Sequence, residues 1–159
     1  MKRKGIALAA VAGLLLMGVG PNSRAEDARV TVVTILANSN NQDVNPKLAQ
    51  IASEVKKHDQ SLTGFKLLNS QFKDVNVGQK EKFDLLNDVS ADVTVLQKME
   101  GNKRIRMAVK PPTVGEINYS ICYDKFFPIV TRYVSANERL IIAIMVQPPK
   151  DKAKDNSAK

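Results

Sequence analysis

Two side chains of this sequence have the chemistry of a nucleophile and its base. Cys122 is the one cysteine and His58 the one histidine of the 159 residues. A thiol becomes a nucleophile when a nearby base takes its proton, and an imidazole does this near neutral pH. A cysteine is also often a small buried side chain, and a histidine after two lysines suits the C-terminal end of a helix. We therefore predict no catalytic residue, with an exported hydrolase that uses His58, Cys122 or loop carboxylates as the alternative.

The sequence lacks the ligand patterns of metal and phosphate sites. One histidine and one cysteine cannot complete a His/Cys zinc site, and the acidic residues do not match the calcium-binding loop. A looser carboxylate site at Asp43, Asp59 or Asp88 stays open. The segment Val77-Gly78-Gln79-Lys80 is too short for a phosphate-binding loop and is typical of a turn. We predict no metal ion and no cofactor.

A basic row is the first of two features that suit recognition. In the segment Lys103–Lys110, side chains alternate between the two faces of a predicted strand. The alternation places Arg104, Arg106 and Lys110 on one face with Ala108, and apolar side chains on the other. Such a row can bind an acidic polymer, an anionic lipid surface or an acidic protein. It is equally typical of a solvated strand face that resists aggregation.

An aromatic segment, Tyr123-Asp124-Lys125-Phe126-Phe127-Pro128, is the second feature. Adjacent phenylalanines in an extended chain face opposite ways, so we expect one ring near the surface. An exposed ring favours a protein or glycan contact, whereas packing of both rings in the core is the alternative. The candidate binding residues are Arg104, Arg106, Lys110 and Phe126.

The N-terminal 25 residues have the pattern of a secretory signal peptide. A basic start at Lys2-Arg3-Lys4 precedes an apolar run from Ile6 to Val19, and small residues stand at Ser23 and Ala25. The run is shorter than the about 20 apolar residues of a transmembrane helix. We predict cleavage after Ala25 and export to the periplasm or the extracellular space, with an uncleaved anchor as the alternative. No second long apolar run follows, so we expect no transmembrane span in the remaining chain.

Most of the positive charge belongs to the two ends of the chain. The formal net charge is +8, of which residues 1–25 contribute +4 and residues 150–159 contribute +2. The body between them is close to neutral, and we therefore predict no nucleic-acid partner. The polar, lysine-rich segment 150–159 is predicted to be a disordered tail.

The first half of the body contains a strand and a helix. Arg29 to Ala37 is β-branched and almost continuously apolar, which predicts a central strand buried on both faces. Asn45 and Pro46 are a typical helix start, and an apolar stripe with helical spacing follows. The stripe consists of Leu48, Ile51, Ala52 and Val55. Gly64 is expected to end the helical region.

The second half contains short runs that alternate between polar and apolar residues. The predicted strands are Phe65 to Leu68, Val75 to Val77, Lys82 to Leu86, Ala91 to Lys98, Lys103 to Lys110, Ile117 to Tyr123, Ile129 to Val134 and Leu140 to Gln147. Leu140 to Val146 is the most apolar run and is predicted to be a core strand. We predict one β-rich α+β domain over residues 26–149, with an N-terminal helix packed on an antiparallel sheet or small sandwich of about seven to eight short strands.

The order of signal peptide, strand, Asn45-Pro46-Lys47-Leu48 helix, Gly64-Phe65-Lys66-Leu67-Leu68 and short strands resembles a family of small, signal-peptide-bearing exported bacterial proteins. The resemblance implies no activity and no functional residue. A helix before antiparallel strands is also shared with cystatin-like inhibitors, but their Q-x-V-x-G loop is missing. We expect a non-enzymatic binding or structural module whose partner is an envelope or extracellular protein or an anionic polymer. A ligand-binding protein is a further alternative, and the sequence does not indicate an oligomeric state.

Overall fold

Eight antiparallel strands and one helix form the computed structural model, which describes residues 28–99 and 103–148. The predicted signal peptide, residues 100–102 and the predicted tail lie outside these residues. The strands are β1 (Ala28–Asn38), β2 (Gly64–Val75), β3 (Lys80–Leu86), β4 (Val89–Met99), β5 (Arg104–Lys110), β6 (Ile117–Cys122), β7 (Phe126–Ser135) and β8 (Glu138–Gln147). A 3-10 turn (Pro46–Leu48) leads directly into the helix α1 (Ala49–His58).

The strands divide into two four-stranded sheets that pack as a sandwich. Sheet A has the order β2-β1-β8-β7, and sheet B has the order β3-β4-β5-β6. Every strand pair within them is antiparallel. The predicted β-rich α+β class, with one N-terminal helix on antiparallel strands, is confirmed. No helix among the described residues is long and apolar enough to cross a membrane.

Two apolar clusters hold these layers together. The larger cluster fills the space between the sheets and includes Val32, Phe83, Met107 and Ile142. The smaller cluster lies between α1 and the outer face of sheet A, where the helix stripe packs on alternate residues of β1 and β8. Both faces of β1 and β8 are therefore buried, which explains why their sequences are almost continuously apolar.

The helix begins as its sequence predicts. The Asn45 side chain accepts a hydrogen bond of 3.0 Å from the backbone nitrogen of Lys47, and Pro46 takes the first position. Three consecutive basic residues, the last of them His58, occupy its last turn. Beyond the helix, the Asp59 carboxylate accepts hydrogen bonds from Ser61 and pairs with Arg139. The hydrogen bonds from Ser61 are the main reason that the pKa of the Asp59 carboxyl lies below its usual range.

Gly64 has a different role from the expected one. The helix ends at His58, and Gly64 begins β2 instead of ending the helical region. A Cβ atom at Gly64 would collide with Asn41 Oδ1 and lie 2.8 Å from Asn38 Oδ1. A larger residue would therefore have to displace these two amides, which accept hydrogen bonds from the backbone of the loop after β1.

β2 is longer than the sequence predicts. The expected strand Phe65 to Leu68 is the beginning of a 12-residue strand that ends at Val75. The expected strand Val75 to Val77 is wrong beyond its first residue, because Asn76 and Val77 lie in the connection to β3. The polar residues between the two expected strands break the apolar pattern because β2 is an edge strand with exposed positions. A register shift opposite Thr34 and Ile35 further interrupts the alternation.

Different kinds of side chain cover the two edges of the sandwich. At the β2/β3 edge, Gln71 Nε2 donates to the backbone oxygen of Asp84, and Lys73 Nζ donates to that of Lys82 at 2.6 Å. At the β6/β7 edge, the rings of Tyr119 and Phe127 stack with centroids 4.2 Å apart. Polar side chains therefore cover the free carbonyls of β3, whereas aromatic rings cover the opposite edge.

Candidate binding face

β5 turns its basic side chains away from the core. Arg104, Arg106 and Lys110 are exposed, whereas the three apolar side chains between them face the other sheet and are fully buried. The predicted alternation is therefore confirmed. Ala108 lies on the outer side too, but its larger neighbours leave it only 6% exposed.

The register of sheet B sets polar side chains beside these cations. Gln97 and Ser120 flank Arg106 on its two sides, and Asp92 lies opposite Lys110. On the far side of β4, β3 adds two exposed lysines to the same surface. We call this surface the basic face. Its charged members are Lys80, Lys82, Asp84, Asp92, Arg104, Arg106 and Lys110.

The cations of β5 form no ion pair with a carboxylate of residues 28–99 or 103–148. Arg29, Lys57, Lys73 and Arg139 do form such pairs elsewhere in the fold. Arg104 Nη2 donates one long hydrogen bond of 3.4 Å to the backbone oxygen of Ser120. Guanidinium and ammonium groups without a carboxylate partner have N–H donors that are able to bind an external anion.

The basic face is an open sheet surface. Arg104 and Arg106 stand two residues apart, a spacing of about 6.8 Å, and β3 lies about 9.6 Å from β5. A hollow of about 340 Å³ between Asp92, Lys110 and Pro112 lies at one end of the row. Cations spread over such a surface suit an extended anion, since they do not enclose a small one on all sides.

Phe126 is not part of this face. It lies on sheet A, half-buried against the smaller apolar cluster beside the helix. Phe127 is the more exposed ring of the pair, at 37%, although it stacks on Tyr119. The structure therefore groups Arg104, Arg106 and Lys110 and places Phe126 on the other sheet. The expected opposite orientation of the two rings is present.

Phe126 instead forms part of an open groove of about 1110 Å³ between α1 and β7. Its apolar side includes Phe126, Pro128 and Val130, and its helical side includes Glu54 and His58. The Lys57 ammonium donates to the Glu54 carboxylate, and this hydrogen bond holds the pKa of that carboxyl below its usual range. The groove thus combines an apolar floor with a charged rim.

The structure separates the two side chains with catalytic chemistry. His58 is exposed at the end of α1, on the outer face of sheet A, whereas Cys122 is half-buried on the outward side of β6 in sheet B. Two packed sheets, about 10 Å apart, stand between them. The imidazole is therefore out of hydrogen-bond reach of the thiol, which removes the thiol version of the hydrolase hypothesis.

The carboxylates of the predicted loops are also dispersed. Asp59 pairs with Arg139 beyond the helix, and Asp88 lies in the turn between β3 and β4. In the described part of the chain, no group of three or more His, Cys, Asp or Glu side chains has the arrangement of a metal site.

Tyr119 is a buried polar group that the sequence does not single out. Its hydroxyl has no hydrogen-bond partner among the described residues, and burial raises the pKa of the phenol above its ordinary value. Period-2 alternation in β6 indicates that Tyr119 faces inward. The structure adds that the hydroxyl itself is buried away from water.

We expect Tyr119→Phe to stabilise the fold by about 1–2 kcal/mol, because the change removes a desolvated donor that has no partner. The unfolded tyrosine ionises near pH 10, before the buried one does, so the wild-type free energy of unfolding falls as the pH rises above about 10. In Tyr119→Phe, the part of this decrease in the free energy of unfolding that comes from residue 119 is absent. Urea denaturation at pH 7 and pH 10.5 checks both effects, with Tyr133→Phe as the control. Equal or lower stability of Tyr119→Phe at pH 7 would mean that the hydroxyl has a partner.

Sequence reasoning missed Lys80 and Lys82 as members of the basic face. The alternation in Lys82 to Leu86 already indicates that Lys82 faces outward, whereas Lys80 lies outside that predicted strand. Their proximity to Arg106 depends on the pairing of β3 with β4 and of β4 with β5. No local sequence pattern indicates the register of these strand pairs.

Comparisons of the chain with protein-family models, curated proteins and solved structures find no match. The resemblance to small exported bacterial proteins therefore stays a prediction.

Proposed function

We propose that this protein is an exported, non-enzymatic binding module that holds an acidic envelope or extracellular partner on the basic face. One observation carries the proposal. Arg104, Arg106 and Lys110 project side by side from a strand whose other face is core, and none of them pairs with a carboxylate of the described residues.

The energetics favour recognition by several such groups together. A hydrogen bond to a charged group contributes about 1.5–3 kcal/mol. Two or three of these contacts give a specific interaction even on an open surface, and their contribution falls as salt screens the charges. The fold supplies rigidity, since the backbone of β5 is hydrogen-bonded on both sides by β4 and β6.

The compartment of the proposed function follows from the N-terminal sequence. A basic start, an apolar run and small residues before Glu26 are typical of an exported chain. A single cysteine leaves the domain without an internal disulfide. The two apolar clusters provide the stability that small exported domains often draw from disulfide bonds.

The test is cross-linking and affinity capture of the tagged full chain from the exported fraction of its own cells. We compare the wild type with an Arg104→Ala/Arg106→Ala variant and with an Arg132→Ala/Lys66→Ala control, whose two positions are exposed on sheet A. We expect an acid-rich partner that the control retains and the basic-face variant loses. Equal capture by all three proteins, or no partner at all with a folded protein, would overturn the proposal.

A further inference from the structure

The uncharged residues of the basic face point to a particular class of acidic partner. Thr94 and Gln97 on β4 and Asn118 on β6 turn outward among the cations. No hydrogen bond within the described residues engages these three side chains. Their donors and acceptors are turned to solvent, and a hydroxyl-rich ligand is able to pair with both kinds of group.

Cations lie in the same rows as these polar groups. Lys80, Thr94, Ala108 and Asn118 form one row across sheet B. The row on one side contains Lys82, Asp92 and Lys110, and the row on the other side contains Gln97, Arg106 and Ser120. Because Ala108 is small and only 6% exposed, the centre of the face is low. Cations lie on both sides of it, and one carboxylate, Asp92, lies between Lys82 and Lys110.

The basic face lacks the anchors of a protein interface. Protein hot spots are enriched in buried aromatic rings and apolar side chains that enter pockets. None of the described aromatic residues lies on the outer side of sheet B, since Phe83 and Tyr119 face the core. Among the side chains of this sheet whose burial is described, the exposed large apolar one is Leu96, which is 39% exposed at the bulge in β4.

We propose that the ligand of the basic face is a linear acidic polysaccharide, whose carboxylate groups bind the cations and whose hydroxyl groups pair with Thr94, Gln97 and Asn118. This inference rests on the proposed function and narrows it from an acidic partner to one polymer class. The open sheet surface fits a chain that crosses it, and Arg106 offers a planar fork of donors that matches a carboxylate. An acidic protein is the competing partner and becomes an outcome of the test.

Three polymers of similar length are used as probes to distinguish an acidic polysaccharide ligand from an acidic protein ligand. Polygalacturonate carries carboxylates on a hydroxylated chain, poly-L-glutamate carries them on a peptide, and dextran is hydroxylated and neutral. The full chain is expressed in a bacterial host, and the protein is purified in the form that the host exports. We expect it to bind polygalacturonate at least tenfold more tightly per carboxylate than polyglutamate. We expect no binding of dextran, because hydroxyl pairing alone does not replace the charge contacts. Titration calorimetry at two salt concentrations measures all three.

Two substitutions test the polar centre. Thr94→Val keeps the shape of an exposed side chain and removes its hydroxyl, and Asn118→Ala removes the amide. Each is expected to weaken polygalacturonate binding about three- to tenfold and to leave polyglutamate binding unchanged, since one neutral hydrogen bond is lost. Ser70→Ala, an exposed position on sheet A, serves as the control.

The outcomes distinguish this inference from the function on which it rests. Equal or tighter binding of polyglutamate, or equal weakening of both polymers by Thr94→Val and Asn118→Ala, would overturn the polysaccharide proposal and leave the acidic-partner function standing. Binding of neither polymer by a folded protein would overturn both.

Discussion

Ile142→Asp is expected to abolish the cooperative unfolding transition of the protein. Ile142 has no exposed surface and lies on β8 between the sheets, where its backbone partners are Thr34 and Ile129. One threonine hydroxyl cannot replace the water that an aspartate loses there. An unpaired buried charge costs more than about 4 kcal/mol, a large part of the about 5–15 kcal/mol that stabilises a typical domain.

Two further variants make this expectation quantitative. Ile142→Ala leaves a cavity without a charge and should cost about 2–5 kcal/mol while the protein stays folded. Val134→Asp places the same charge on β7, where the side chain is 54% exposed, and should leave the melting temperature nearly unchanged. Circular dichroism melting curves compare all three. Near-normal melting of Ile142→Asp would show that the buried face of β8 is wrongly assigned.

Arg106→Glu is expected to reduce the affinity for an acidic polymer about 10- to 100-fold, since one charge-assisted contact is lost and a repulsive charge replaces it. Arg132→Glu is the matched control. It changes the same residue type to the same acid on an exposed strand position, but on sheet A. Both variants have the same net charge, so any difference in affinity between them comes from the position of the substituted residue and not from the net charge.

Elution from a carboxylate cation-exchange column gives a direct readout of this difference. Arg106→Glu should elute at lower salt than Arg132→Glu. Arg106→Lys should elute between Arg106→Glu and the wild type, because lysine keeps the charge but not the planar fork of donors. If Arg106→Glu and Arg132→Glu eluted at the same salt concentration, the basic face would have no special role in binding anions.

The elements that the sequence predicts best are those with a local pattern. β1 and β8 are almost continuously apolar because each is buried on both faces. The helical region has Asn45 as the cap of its 3-10 turn and an apolar stripe that continues along α1. The sequence indicates two short strands in the region of β2, because an edge strand tolerates polar residues at Asn69, Ser70 and Gln71.

The candidate site was predictable only in part, for the same reason. Alternation within one strand is enough to place Arg104, Arg106 and Lys110 on one face. The contribution of Lys80, Thr94 and Asn118 depends on which strands are neighbours and in which register, and these contacts are distant in sequence. The position of Phe126 beside the helix also depends on the tertiary fold, because alternation alone does not indicate which face of β7 the helix covers.

The most direct measurement of the central claim is a map of backbone amide shifts by ¹⁵N–¹H NMR as an acidic polymer is added to the protein. We predict shifts that cluster on the outward residues of β3 to β6, are strongest around Arg104 and Arg106, and disappear at high salt. Shifts confined to the groove between α1 and β7, or no shifts at polymer concentrations that saturate other basic proteins, would contradict the central claim.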